Sequence, residues 1–323
     1  MRMLLAVLAL FALPACAGEV REPLRLATWN AEWLVLPAEF DALLARCLPE
    51  GRRARGGERA LYCNVGPERR WSDADLDRLA AFAATVDADV VALQEVDGVE
   101  AARRLFPAHE LCFTRREHVQ NVGFAIRRGL PFRCNDDYRA LGLPEDDVRW
   151  GADVTLFPGT SRELRLLGVH LKAGCAWDPL TARREPCAVL ARQVPVLEDW
   201  IDTRAREGVP FAVLGDFNRQ LGREQDPARD EAGRTVAIWP ELDDGDPPGA
   251  RLTNAGAGVR PAACRPGERP RPPIDHIVLG EAAAAALVPG SYRMWPYPRE
   301  PRGARWPDHC IRSVVLDRGR LAR

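Results

Sequence analysis

The chain has 323 residues, 46% of them apolar, and a formal net charge of -1. That length and apolar content suffice to bury a full core in one large domain or two modest ones. A charge so near zero excludes a protein that coats nucleic acid through bulk charge, so any polyanion must meet a local patch.

In chain order, the N-terminus reads MRMLLAVLALFALPACAGEV, with an early arginine, an apolar run from Met3 to Leu13, and then small residues. The run is too short to span a bilayer and fits a secretory signal, which assigns residues 1–17 to a signal peptide. LPAC, ending at Cys16, resembles a bacterial lipobox, in which the cysteine is lipidated and becomes the mature N-terminus. Cleavage after Ala17, using Ala15 and Ala17 as the small pair, is the competing reading. Both predict export, to the periplasm, to the outer membrane as a lipoprotein, or to the medium. A lipidated Cys16 would anchor the chain in a membrane through its acyl chains.

Export makes the cysteines intelligible. Setting Cys16 aside from the 9 cysteines leaves an even set, which in an oxidising compartment points to disulfides. Pairing of sequence neighbours is the simplest framework: Cys47 with Cys63, Cys112 with Cys134, Cys175 with Cys187, and Cys264 with Cys310. About 105 connectivities are formally open to such a set. Zinc is the weaker reading because no CxxC pair occurs.

Residues 22–320 read as a single domain. Short apolar runs bounded by turn residues predict buried strands at LRLATW, DVVALQ, VGFAI, ADVTLF, LRLLGVH, PFAVLG, IDHIVL and RSVVLD. WSDADLDRLAAFAATV predicts a helix with Ser72 as N-cap and Asp75 at the third position. A second helix is expected from about Ala188 to Glu207, stopping at Gly208, with Pro195 as a potential kink. Leu36–Arg70, Glu224–Pro273 and Tyr297–Pro307 read as loops or insertions. Strands with irregularly interspersed helices favour an α+β or layered α/β fold.

Several predicted strands begin or end in polar groups that a core strand does not need. ATWNAEW places Asn30 after its strand, and VVALQEV ends in Gln94 and Glu95. LLGVHLK delivers His170 and Lys172, AVLGDFN delivers Asp216 and Asn218, PIDHIVL opens with Asp275, and WPDHC gives Asp308 and His309. Of the 45 basic residues, all but Lys172 are arginine. Taken singly these have bland explanations, as turn formers, a solvated acid or a satisfied histidine. As an ordered set they predict convergence, because strands of one sheet bring their ends together.

Such a pocket suits phosphate ester hydrolysis. Glu95 can hold a hard cation such as Mg²⁺, which neutralises phosphate charge. Asp216 can deprotonate a water for in-line attack while Asn218 donates to a phosphate oxygen. His309, supported by Asp275, can donate a proton or hydrogen bond, and His170 and Lys172 add further donors.

The ordered motifs TWNAEW, LQEV, HLK, GDFN, IDH and PDH resemble the endonuclease/exonuclease/phosphatase family, over about Leu24 to Asp317. That family includes deoxyribonuclease I, abasic-site endonucleases, inositol polyphosphate 5-phosphatases and bacterial sphingomyelinases. The resemblance implies an α/β fold, a four-layer α/β sandwich of two packed mixed β-sheets flanked by helices. It implies Asn30 and Glu95 as metal-side residues, His170 as a phosphate contact, Asp216 with Asn218 as the water and phosphate pair, and Asp275 with His309 as a dyad. Asp308 would contact metal directly or through water, and Arg149 loosely matches a phosphate-binding arginine. The cofactor implied is Mg²⁺, or Mn²⁺ or Ca²⁺.

The pattern has one departure. Where the deoxyribonuclease I branch supports the HLK-strand histidine with a glutamate, this chain offers Gln120 or Asn121, and an amide cannot stabilise an imidazolium as a carboxylate does. His276 is expected to be structural, and His109 and His118 to lie on the surface. The leading reading is a metal-dependent phosphodiesterase or nuclease, with nucleic acid as the first-choice phosphate-ester substrate. The alternatives are a phosphomonoesterase or sphingomyelinase-like phospholipase C, for which Trp295 and Tyr297 would have to serve as membrane aromatics although a packed Pro and aromatic loop is the preferred reading of YRMWPYP, and a non-catalytic surface lipoprotein.

Overall fold

The computed structural model describes residues 22–49, 59–144, 148–224, 227–299 and 304–321. The expected signal segment and Cys16 lie outside the described residues. Two six-stranded sheets form the centre. The first contains β1 (Pro23–Leu34), β2 (Val90–Val96), β3 (His109–Phe113), β4 (Asn121–Arg127), β11 (Arg293–Trp295) and β12 (Ile311–Asp317), in the order β11-β12-β1-β2-β4-β3. The second contains β5 (Phe132–Cys134), β6 (Ala152–Leu156), β7 (Leu164–His170), β8 (Phe211–Asp216), β9 (Leu252–Asn254) and β10 (Asp275–Gly280), in the order β5-β6-β7-β8-β10-β9. The pairs β1–β2 and β7–β8 are parallel and their neighbours antiparallel, so both sheets are mixed.

Side chains alternate across a strand, and here the alternation sorts the core into layers. Leu24 and Leu26 of β1, Val90 and Ala92 of β2, and Phe124 of β4 face Leu164 and Leu166 of β7, Leu214 of β8 and Ile277 of β10 across the seam between the sheets. The intervening residues face helices. Trp29, Val91 and Leu93 pack under α2 (Asp73–Val86) and α3 (Gly98–Leu105), while Leu167, Val169 and Val213 pack under α4 (Glu185–Glu207). Each of Leu190, Val194 and Leu197 on the inner stripe of α4 is fully buried, worth roughly 1.5–3 kcal/mol apiece. Helix on sheet on sheet on helix is the expected four-layer sandwich.

The alternation continues past the core and determines what the strands present at their ends. Thr28 and Asn30 follow Leu26, Gln94 follows Ala92, His170 follows Leu166 at a spacing of four, and Asp216 follows Leu214. Asp275 precedes Ile277. All of these side chains therefore fall on the seam side of their strands. Gly215 makes the approach possible: its φ is 151° and a Cβ there would stand 2.0 Å from the Val169 carbonyl oxygen.

The helices begin and end for local reasons. Ser72 Oγ accepts from the Asp75 backbone N–H at 3.1 Å while Asp75 accepts from the Ser72 N–H at 3.0 Å, a reciprocal cap that satisfies two otherwise orphaned donors. α4 starts three residues earlier than the sequence suggested, carries Pro195 inside it, and stops at Gly208 in the left-handed region. The four disulfides join Cys47 to Cys63, Cys112 to Cys134, Cys175 to Cys187, and Cys264 to Cys310, the sequence-neighbour framework. Among the described residues no helix is long and apolar enough to cross a membrane.

The segments read as loops need correction. Residues 36–70 open with α1 (Pro37–Leu44), whose Phe40 and Leu43 are buried with Val35 and Leu61. Residues 224–273 contain α5 (Trp239–Leu242) and β9, which closes one sheet edge on β10. Residues 297–307 are anchored at both ends in the core, where Tyr297 and Trp306 stack at 4.8 Å. His109 is also not a plain surface residue. It opens β3, sets its ring edge-on to Phe106 at 5.4 Å, and places Nε2 at 3.1 Å from the Ala88 carbonyl. The ring completes the apolar contact between β3 and α3, and burial lowers its pKa.

Candidate active site

The strand ends meet in register. His170 of β7 lies opposite Asp216 of β8, and Asp216 lies opposite Asp275 of β10. In the facing sheet Asn30 lies opposite Gln94. Just past these positions the backbone enters the left-handed region at Glu32 (φ 48°), Trp33 (53°), Glu95 (57°) and Asn218 (51°). Non-glycine residues there cost of order 1–3 kcal/mol and persist where surrounding contacts enforce them.

Asp216 is the hub. Its Oδ1 accepts from the Asn218 backbone N–H at 2.7 Å and its Oδ2 from Asn30 Nδ2 at 3.1 Å. Asn30 Nδ2 also donates to Glu95 Oε1 at 3.0 Å, and the Trp33 N–H donates to Glu95 Oε2 at 3.2 Å. The Asn30 amide orientation is determined by its oxygen, which accepts from the Glu32 N–H at 3.0 Å. Asn30 thus presents a donor, not an oxygen ligand, to the carboxylates.

On one side of Asp216 stands the dyad. His309 Nδ1 donates to both oxygens of Asp275, at 2.9 and 3.0 Å, which leaves Nε2 facing Asp216 Oδ2 and Asp308 Oδ1, each at 3.9 Å. Burial disfavours a charged His309, but Asp275, then Asp216 and Asp308, outweigh it and hold the imidazole well above its usual pKa. Burial likewise opposes ionised Asp275, and the charge and hydrogen bond of His309, with Arg312 behind, keep it low. Asp216 lacks that compensation: burial pushes it up to about 7 despite the pull of His309.

On the other side His170 Nε2 lies 3.6 Å from Asp216 Oδ2 and 3.9 Å from Glu95 Oε1. Its buried Nδ1 has no hydrogen-bond partner among the described residues. Asn121 spends its amide on Thr114 and His118 instead. Burial, with Arg149 second, holds His170 well below its usual pKa, so it is a neutral donor at pH 7.

Two expected substrate contacts are directed elsewhere. Arg149 donates to the carbonyl of His170 at 3.2 Å and to that of Leu171, which clamps the end of β7. The alternation that would return Lys172 to the face of His170 fails because β7 ends at His170. The Lys172 backbone N–H donates to Gln193, and its ammonium stands 3.5 Å from Glu185. His276 is buried, with Nε2 2.9 Å from the Arg219 carbonyl and Nδ1 3.2 Å from Asn254 Nδ2, and burial brings its pKa down to about 4.

The sequence reading missed supporting residues. Buried Glu32 accepts from the Asp308 N–H at 3.0 Å and is bracketed by Arg69 and Arg305. Tyr297 Oη donates to the His309 carbonyl and accepts from Trp29 Nε1 at 2.9 Å. Trp295 donates to Ser313 Oγ at 2.9 Å, so both aromatics are packed rather than offered to a membrane. Glu32 had a signal, a charged residue inside TWNAEW, but nothing near Tyr297 in sequence marks its partner.

The donor chemistry fits a hard divalent cation on the Glu95 side. Each Glu95 oxygen spends one lone pair on a single donor, and Asp216 beside it is a buried acid short of positive charge, while the 46% exposed Asp308 carboxylate stands on the dyad side. Asp216, Asp275 and His309 also bring ligand atoms within 4.8 Å of one another. That trio is less suited, because Asp275 and His309 already satisfy each other and a hard cation prefers oxygen.

Fold and site together define a two-sheet α/β phosphoester-hydrolase scaffold. The sequence matches the Endonuclease/Exonuclease/phosphatase family over residues 27–310, and the chain belongs to that family, whose enzymes hydrolyse phosphoester bonds with divalent metals. Solved structures share the fold at low identity. TDP2 from Caenorhabditis elegans, in truncated form, has TM-score 0.55 at 13% identity, covering 92% of this chain and 98% of that one. The 3' phosphatase NExo from Neisseria, bound to product DNA hairpin, has TM-score 0.53 at 16% identity, covering 91% and 99%. TDP2 from D. rerio, complexed with single strand DNA product, has TM-score 0.52 at 16% identity, covering 91% and 98%. No curated protein sequence matches significantly.

Proposed function

We propose that this chain is an exported, divalent-metal-dependent phosphodiesterase with nucleic acid as its leading substrate class. The observation that carries the reading is the placement of Asp216 between two differently tuned histidines, 3.9 Å from His309 and 3.6 Å from His170. The DNA products bound in the NExo and D. rerio TDP2 structures support a nucleic-acid substrate. Four disulfides and the N-terminal apolar run support export.

Asp216, held by Asn30 and Asn218, takes the proton of the attacking water, and its raised pKa makes it a stronger base than an ordinary carboxylate. Asn218 gives one Nδ2 hydrogen to the Leu171 carbonyl at 3.0 Å and keeps the other for a phosphate oxygen. His309, charged and oriented by Asp275, directs Nε2–H at a non-bridging oxygen where negative charge builds. Neutral His170 donates from the opposite wall. Glu95, with Asp308 directly or through water, would hold the cation, which would neutralise charge on the phosphate and the departing oxygen.

The test is hydrolysis of plasmid DNA, RNA, a phosphomonoester and sphingomyelin, each with Mg²⁺ and with EDTA. Diester cleavage in Mg²⁺ that EDTA abolishes is the expected result. Cleavage of the monoester alone would instead establish the second reading, a phosphomonoesterase, which the likeness to the 3' phosphatase NExo favours. Survival of all four substrates with Mg²⁺, Mn²⁺ and Ca²⁺ alike would leave only the non-catalytic surface protein. Export is tested by recovery of the protein outside the cytoplasm, where its absence would contradict it, and the disulfide framework by the mass of that non-reduced protein, which eight free thiols would contradict.

A further inference from the structure

Beside the dyad a cleft of about 290 Å³ opens, with Asp275 and His309 in its wall and Trp177, Arg269 and Arg271 around it. Trp177 is 68% exposed, whereas Trp29, Trp71 and Trp306 are buried and Trp33, beside Glu95, is half-buried. An exposed indole on a slack loop would signify little. This one sits on a pinned loop. The flanking carbonyls of Cys175 and Ala176 accept from Arg219 Nη1 at 2.8 Å and from the Gln220 N–H at 3.0 Å, and the Asp178 carbonyl accepts from Arg219 as well. Arg219 is itself buried and paired with Glu224. The Cys175–Cys187 disulfide ties the same loop to α4, and Cys264–Cys310 ties the opposite wall to the residue after His309. The fold thus holds an aromatic face still, in water, next to the reacting centre.

Arg269 and Arg271 are exposed on the same cleft, where Arg271 lies within electrostatic reach of Glu268 and Arg269 has no hydrogen bond or ion pair with the described residues. An exposed aromatic face on a pinned loop, sharing a cleft with exposed guanidinium groups, matches a ligand that alternates flat bases with phosphates.

We infer that this cleft is a subsite for an unpaired nucleotide flanking the scissile phosphate, with Trp177 as the stacking platform and Arg269 and Arg271 as phosphate contacts. The inference rests on the phosphodiesterase reading of the same site and narrows it to single-stranded or locally unpaired nucleic acid.

The test separates binding from hydrolysis. Binding of a fluorescent oligothymidylate is followed by anisotropy in EDTA, with wild type, Trp177→Ala, Trp177→Phe and the double variant Arg269→Gln/Arg271→Gln, each checked for native unfolding midpoint. Trp177→Ala is expected to weaken binding about tenfold or more, the loss of one stacked base, while Trp177→Phe stays within about threefold of wild type. The double variant is expected to weaken binding and to reduce the slope of log affinity against log salt by about 1–2. Wild type that does not bind, or alanine and wild-type proteins that bind alike, overturns the subsite. So does Trp177-dependent capture by phosphatidylcholine and sphingomyelin vesicles in place of the oligonucleotide. A wild type that shows the expected binding but cleaves no phosphodiester in Mg²⁺ overturns the catalytic reading and leaves the subsite standing.

Discussion

Asp216 at the end of β8 and Glu198 on the outer face of α4 are both carboxylic acids pushed up to about 7. In each case burial is the first cause and nearby acids add to it: Asp275 for Asp216, and Glu241, Asp202 and Asp244 for Glu198. What differs is the wiring. Asp216 accepts hydrogen bonds from Asn218 and Asn30 on separate oxygens and stands between His309 and His170. Glu198 belongs to a cluster of acids around α4 and α5 with Arg229 pulling the other way. A raised pKa therefore does not locate an active site; donors arranged so that a carboxylate keeps one geometry while it gains and loses a proton do. The chemistry proposed above belongs to the first region and electrostatic strain to the second.

The largest effect that bears on this contrast is Asp216→Asn. The variant keeps the shape and the donors but loses the base, so hydrolysis should fall about 10²–10⁴-fold while the circular dichroism spectrum stays native. Near-normal turnover would show that Asp216 is only another strained acid. Asp275→Asn comes next, with about a 10²-fold loss, and carries a pH signature. His309 acts as a donor while protonated, so activity falls as pH rises through its raised pKa, and removal of Asp275 must move that alkaline limb to lower pH. Stability has its own window. A raised His309 stabilises the fold below 6.5 and loses that contribution as pH rises through its folded pKa, and a lowered Asp275 stabilises above 3.8 and loses it as pH falls. Denaturant titrations across pH should accordingly show the Asp275→Asn loss at its fullest between those two values.

The same wiring explains what could be read from the sequence. The eight strands recognised from apolar runs are the interior strands of the two sheets, buried on both faces and therefore continuous in composition. The four that were missed, HELCF, FRC, LTN and RMW, are the four sheet edges. Edge strands pair on one side and carry charge, so composition does not separate them from loops. Asp216, Asp275 and His170 were visible because each interrupts an apolar run at a strand end, and Asn30 because it interrupts one, although β1 does not stop before it as the sequence suggested but runs on to Leu34. Lys172 misled because its meaning depended on one more residue of strand. Trp177, Arg219 and Glu32 were not singled out because their roles arise from loops crossing between strands far apart in sequence, where no periodicity exists to read.

The smallest effect tests the other region. Glu198 binds its proton more tightly folded than unfolded, 4.5 rising to about 7, so between those values the folded state holds more protons and stability falls as pH rises. Glu198→Gln removes the charge that the cluster resists. The variant should match wild type below pH 4 and be more stable at pH 8, by less than about 1 kcal/mol once solvent screening of a half-exposed group is counted. Hydrolysis should not change, because the helix face lies behind β7 and β8 with Leu197 and Trp200 between it and the seam. Urea midpoints of the two proteins at pH 4 and pH 8, alongside their turnover, measure both halves. A stability gain that appears at low pH instead would mean that the cluster is relieved by the arginines around it, and a loss of turnover would mean that the two regions communicate through α4.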